Sequence, residues 1–181
     1  MQRIAIDIDE VLVPFVKPMA KWRGLKMPPS TNKYKYVYKD MFNITQEESE
    51  KMVREFYDSE EFHKLSPIYN SQLGVIKLRG KACKIYAVTG RQNYVRNRTE
   101  ELLLRHFPNM FDDVVMTNSY TEHEIKKVDV CRSLAIDLII DDNTDICREC
   151  HQAGIKAKNF MGFEEVYPWS EYSELSMFGW K

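Results

Sequence analysis

The chain has 181 residues, 44 % of them apolar and 29 % charged, with a formal net charge of −1. That length and apolar share suit one domain with a modest insertion, and the balanced charge argues against a broad nucleic-acid footprint. No run of about 18 apolar residues occurs, which excludes a helical membrane span, and Asp7 breaks the first apolar stretch too early for a signal peptide, so a soluble, cytoplasmic protein is expected.

Ile4, Ala5, Ile6 and Ile8 form a short, nearly continuous apolar run, the pattern of a parallel strand covered on both faces; it ends in Asp7, Asp9 and Glu10. A helix is expected from about Val11 to Trp22, before Gly24 and Pro28-Pro29 break the chain. Lys33 to Lys39 alternates basic and aromatic residues and reads as an edge strand or loop with a solvated basic side. Thr45-Gln46-Glu47-Glu48 is a capping box, so a helix should start there and run to about Tyr57.

From Ser71 onward helix and strand alternate. Helices are expected over about 71–79, after Thr89-Gly90-Arg91 through Arg105, over about 124–134, and after Asp141-Asp142 to Gly154. Strands are expected at 84–88, 113–116, 138–140 and 156–160. Strands separated by helices imply an α/β fold, a Rossmann-like doubly wound parallel sheet. Ligands of such sheets bind beyond the carboxyl ends of the strands. Three of those ends carry chemistry here: Asp7 and Asp9, Thr89, and Asp141 and Asp142.

Asp7 and Asp9 lie two residues apart, which on an extended backbone puts both side chains on one side. With Asp141 and Asp142 beside them, four carboxylates would cluster with no His or Cys nearby. Such a hard oxygen site suits Mg²⁺. Taken singly, an Asp-x-Asp, a Thr-Gly or an Asp-Asp-Asn is usually a solvated turn or a helix cap; the ordered set at strand ends is what carries the argument. The four cysteines, Cys83, Cys131, Cys147 and Cys150, read as reduced thiols. Cys147-Arg148-Glu149-Cys150-His151 has haem-attachment spacing, but that chemistry requires export, and the segment reads as ordinary helix.

This order of motifs resembles the haloacid dehalogenase-like superfamily. Ile4-Ala5-Ile6-Asp7-Ile8-Asp9-Glu10-Val11-Leu12 is similar to its first motif, and Ile85-Tyr86-Ala87-Val88-Thr89-Gly90 to its second. Lys127 suits the lone lysine of the third, with Lys126 as the alternative. Leu138-Ile139-Ile140-Asp141-Asp142 is similar to the fourth. The resemblance implies a phosphatase. Asp7 would be the nucleophile forming an aspartyl-phosphate, Asp9 the general acid/base, and Thr89, Gly90, Arg91 and Lys127 the binders of the phosphoryl group. Mg²⁺ would be held by Asp7, Asp9 through its carbonyl, and Asp142 or Asp141. It also implies a small helical cap inserted after the first strand: 13–74 as cap, with 1–12 and 75–181 as catalytic core.

The layout is most similar to the 5′(3′)-deoxyribonucleotidase branch, on Phe62 to Ile68, Thr89-Gly90-Arg91, Lys127 to Cys131 and Tyr167-Pro168-Trp169. The expected partner is therefore a small phosphorylated substrate, a nucleoside monophosphate, with Phe15, Trp22, Tyr34, Tyr36 and Phe42 as candidate cap contacts. The Thr-Gly-Arg form of the second motif departs from the mammalian-type members, so base and sugar preference do not carry over. The competing readings are a polynucleotide 3′-phosphatase, another small-metabolite phosphatase, and a non-catalytic binding protein on the same fold.

Overall fold

The apolar run at the N-terminus becomes β1 (Gln2–Ile6), the centre of a six-stranded sheet. A computed structural model describes all residues, 1–181. The other strands are β2 (Ala82–Thr89), β3 (Asp113–Met116), β4 (Leu138–Asp141), β5 (Lys156–Phe160) and β6 (Ser176–Met177). Every pairing is parallel and the spatial order is β3-β2-β1-β4-β5-β6. The two-residue β6 had no signal in the sequence, being too short to show a period.

Side chains alternate across the sheet, as period two requires. Ile4, Ile6, Ile85 and Ile140 bury on one face with α5 (Ser71–Arg79), α6 (Arg96–His106) and the C-terminal Trp180. Ala5, Val88 and Ile139 bury on the other with α7 (Lys127–Ser133) and α8 (Thr144–Gln152). Helices therefore cover both faces. From the carboxyl end of β1 the chain turns towards β2 on one side, and from that of β4 towards β5 on the other, so the crevice between the ends of β1 and β4 is the topological switch point of the sheet.

Between β1 and α5 lie α1 (Val16–Arg23), α2 (Tyr38–Phe42), α3 (Gln46–Tyr57) and α4 (Glu60–His63). The helix expected from Val11 begins five residues later. Two prolines explain the delay: Pro14 disfavours helical backbone at Val13, and Pro18, lacking an N–H, is tolerated only in a first turn. Residues 11–13 instead form a tight turn in which the N–H groups of Val11, Leu12 and Val13 converge on the Ile8 carbonyl, with Glu10 at φ 67°. The capping box at α3 forms as expected: Thr45 Oγ1 accepts from Glu48 N at 3.1 Å, and Glu48 Oε2 accepts from Thr45 N at 2.7 Å. Buried Met19, Met52, Phe56 and Phe62 from these helices, with Phe15 at the N-cap of α1, join the apolar cluster of Ile4 and Ile6.

Residues 33–37 form a strap without regular structure. Its lysines face solvent, and its tyrosines turn inward against Trp169, the bland arrangement expected for this stretch. Cys131, Cys147 and Cys150 are buried, unbridged thiols under the sheet, and His151 is exposed, so the Cys-x-x-Cys-His spacing is ordinary helix packing.

Candidate active site

The register of the sheet brings the acids together. Ile6 pairs with Ile140, and Asp7 N donates to the Ile140 carbonyl at 2.9 Å, so Asp7 and Asp141 leave adjacent strands side by side. One carboxylate oxygen from each of Asp7, Asp141 and Asp142 lies within 4.8 Å of the others. All three residues are buried. Burial and the neighbouring carboxylates push Asp7 up to about 7, although Lys127 opposes them. Burial, then Asp7 and Asp141, raises Asp142 well above the usual carboxylate range.

Of the two adjacent lysines, Lys127 turns inward. Its Nζ sits 3.0 Å from Asp7 Oδ1 and 2.6 Å from Asp141 Oδ2, whereas Lys126 is exposed and pairs with Glu149. Burial works against the Lys127 charge, but Asp141 and Asp7 outweigh it and hold the ammonium protonated.

The remaining lone pairs separate Asp141 from its neighbours. Asp141 Oδ1 accepts from Asn143 N at 2.9 Å and Oδ2 from Lys127, so both oxygens are used. Asp7 Oδ1 takes Ile8 N at 2.8 Å and Lys127, while Oδ2 accepts no protein donor. Asp142 Oδ2 takes the Trp169 indole N–H at 2.8 Å, and Oδ1 accepts none. Asp7 Oδ2 and Asp142 Oδ1 are thus the two carboxylate oxygens of the cluster that no protein donor occupies. An all-oxygen set of mutually repelling carboxylates fits Mg²⁺.

Arg91 lies elsewhere than at a free phosphate position. Its Nη2 and Nε donate to the two oxygens of Asp9 at 2.7 and 3.0 Å, and Nη1 to Thr99 Oγ1 at 3.0 Å. The guanidinium is buried among Phe15, Tyr57 and Phe62, 5.3–5.8 Å from each ring centroid. No sequence signal distinguishes this from a phosphate contact, because the partner lies 82 residues away. Thr89 ends β2 fully buried, its Oγ1 accepting Arg91 N at 3.2 Å. Gly90 lines the cleft next to it, and a Cβ there would stand 2.7 Å from Ser119 Oγ.

The acids open into a cleft of about 380 Å³. Its floor is Asp7, Asp9, Lys127, Asp141 and Asp142, and its walls include Phe15, Tyr36, Tyr57, Tyr94, Tyr120 and Trp169. Arg54, which also lines the cleft, lies over the Tyr94 ring at 4.4 Å. Of the aromatics expected to face the cleft, Phe15 and Tyr36 line it. Trp22 does not: it packs on Phe56 at 5.5 Å and fills the helical layer. Tyr34 rests on Trp169, and Phe42 packs against the core. Tyr38, Tyr57, Tyr94, Tyr120 and Trp169 also line it and carry no signal as wall residues in the sequence; they come from separate segments, and only the fold assembles them.

No protein-family model and no curated protein sequence matches the chain. Solved structures do. A hydrolase of the haloacid dehalogenase-like family from Streptococcus pneumoniae superposes with a TM-score of 0.62 at 13 % identity, covering 88 % of this chain and 84 % of that one. A predicted phosphoglycolate phosphatase from Haemophilus somnus gives 0.61 at 15 % identity, covering 92 % and 87 %. A hydrolase of the same family from Deinococcus radiodurans, with bound phosphate and sodium, gives 0.62 at 12 % identity, covering 94 % and 85 %. At such identities the likeness speaks for architecture, and the chain has the haloacid dehalogenase-like fold.

Proposed function

We propose that this protein is a magnesium-dependent phosphomonoester hydrolase working through an aspartyl-phosphate on Asp7. The observation that carries the reading is the open Oδ2 of Asp7 beside Lys127 at the switch point of the sheet. Mg²⁺, held by Asp7, Asp142 and the Asp9 carbonyl, would offset the charge of a phosphate approaching three carboxylates. Lys127 fixes Asp7 through Oδ1 and leaves Oδ2 to attack phosphorus. The P–O bond to the leaving group breaks as the Asp7–P bond forms, and Asp9, on exchanging one of its two Arg91 bonds for a proton, would pass that proton to the departing oxygen. Asp9 then takes a proton from the water that hydrolyses the acyl phosphate, restoring Asp7. The backbone around Thr89 and Gly90 would bind phosphoryl oxygens.

Residues 13–74 are the proposed lid, excluding water and contributing Phe15, Tyr36 and Tyr57 to the cleft. A nucleoside monophosphate is the proposed substrate. The aromatic walls favour it, because a base stacked on one ring is stabilised by roughly 1–3 kcal/mol. The phosphoglycolate phosphatase likeness supports a smaller substrate as the second reading, one that would leave the aromatic walls unused.

A phosphate-release assay of the purified protein with Mg²⁺ over nucleoside monophosphates, phosphoglycolate and sugar phosphates tests both. Release that vanishes in chelator and in Asp7→Asn is expected, with nucleotides preferred. Tyr94→Ala should raise KM for nucleotides while sparing p-nitrophenyl phosphate. Equal use of phosphoglycolate and nucleotides would refute the nucleotide reading and leave the phosphatase reading standing.

A further inference from the structure

The loop between β5 and β6 carries Tyr167-Pro168-Trp169-Ser170, of which Trp169 lines the cleft. Tyr167 is anchored first: its hydroxyl donates to the Glu10 carbonyl at 2.8 Å. The Trp169 indole stacks on the Tyr167 ring at 4.5 Å and 15°. Tyr36 meets it edge-on at 4.7 Å, and Tyr34 lies 6.3 Å away. The strap that bears these tyrosines is pinned to the same loop, Tyr34 N donating to the Pro168 carbonyl at 3.3 Å and Lys33 Nζ to the Ser170 carbonyl at 2.9 Å. An indole so clamped has one direction for its N–H, and that direction is Asp142 Oδ2, 2.8 Å away.

We propose that Trp169 is a positioning residue for cation binding, holding Asp142 by one oxygen so that the other is presented to Mg²⁺. This rests on the magnesium reading above. An Asp142 side chain without this bond would be free to rotate away from Asp7 and Asp141, which repel it. An indole N–H is suited to the task because it is a donor without charge. It fixes the carboxylate and leaves its full negative charge for the cation, whereas a lysine would compete with the metal. Lys127 already serves Asp7 and Asp141 and does not reach Asp142. Groups that orient a ligand in this way commonly contribute 10–100-fold to metal affinity.

Trp169→Phe keeps a ring in the stack and deletes the donor. Calorimetric titration of Mg²⁺ into the wild-type protein and into this variant, both without substrate, is the test. The expected result is binding roughly 10–100-fold weaker in the variant, with the metal-free thermal midpoint little changed. Wild-type binding with equal affinity in Trp169→Phe overturns the role of Trp169 and leaves the metal reading intact. Absence of wild-type binding overturns both. Should the variant not fold, the indole N–H resonances of the wild-type protein decide. Mg²⁺ should shift that of Trp169 more than those of Trp22 and Trp180, and an unmoved Trp169 signal overturns the proposal.

Discussion

Asp7 and Asp9 stand two residues apart and sit in opposite electrostatic situations. Asp7 is crowded by Asp141 and relieved by one lysine, while Asp9 is matched one-to-one with a buried guanidinium. Asp7→Asn should therefore abolish turnover, by about 10⁴-fold or more, with an unchanged or higher thermal midpoint, since the change removes a repelled charge. Asp9→Asn should behave differently. It leaves Arg91 charged and unmatched among Phe15, Tyr57 and Phe62, a situation that costs about 3–5 kcal/mol. Denaturant midpoints of the two variants measured side by side check this contrast. An Asp9→Asn protein as stable as wild type would show the ion pair to be unimportant for the fold. Arg91→Gln should lower kcat more than it raises KM, because its donors reach Asp9 rather than open cleft; a rise confined to KM would restore it as a phosphate contact.

At the scale of elements, α3 links a local cap to the cleft. Its first turn is closed by Thr45 and Glu48, and its last residue, Tyr57, lines the wall. Thr45→Ala should cost about 1 kcal/mol in unfolding free energy. Thr45 and Glu48 do not themselves line the cleft, although Gln46 and Ser49 beside them do, so kcat should move little; a large loss of activity would mean that α3 shifts as a body when its cap is lost. The start of α1 teaches the converse. A helix is expected from about Val11, and Pro14 and Pro18 delay it to Val16. The residues released from helix form the turn that seats Glu10, whose carboxylate accepts Phe15 N at 2.6 Å, beneath α1.

For the molecule as a whole, the cost of gathering the acids should appear in its stability. Asp7 and Asp142 keep their protons to higher pH in the folded chain than in the unfolded one. Between the ordinary carboxylate range and about pH 7 the folded state thus binds more protons, so metal-free stability should fall as pH rises through that window. A cation that binds only the folded state reverses the penalty. At a hundred times its dissociation constant, Mg²⁺ should add about 2.7 kcal/mol, or roughly 5–10 °C in Tm for a chain of this size. The gain should grow with pH over the same window, because protons and metal compete for the same oxygens. Thermal melts with and without Mg²⁺ at pH 5 and pH 8 check both signs.

Local patterns in the sequence determined the parallel sheet, the order of its strands along the chain, the capped α3 and the acids at the strand ends. Each is written in near neighbours: a period of two, a four-residue cap, an apolar run closed by aspartate. Even the clustering of Asp7 with Asp141 follows, because strand ends in such a sheet share one rim. The tertiary structure alone decided which of Lys126 and Lys127 turns inward, that Arg91 grips Asp9, that Asp142 rather than Asp141 keeps an open oxygen, and that Trp22 packs inside the helical layer while Tyr94 and Trp169 face the cleft. Those outcomes depend on partners far away in the chain, Asp9 82 residues from Arg91 and Asp7 farther still from Lys127, and on how many donors each oxygen already has. Hydrogen bonds saturate, and which donor reaches an oxygen is settled by packing in three dimensions.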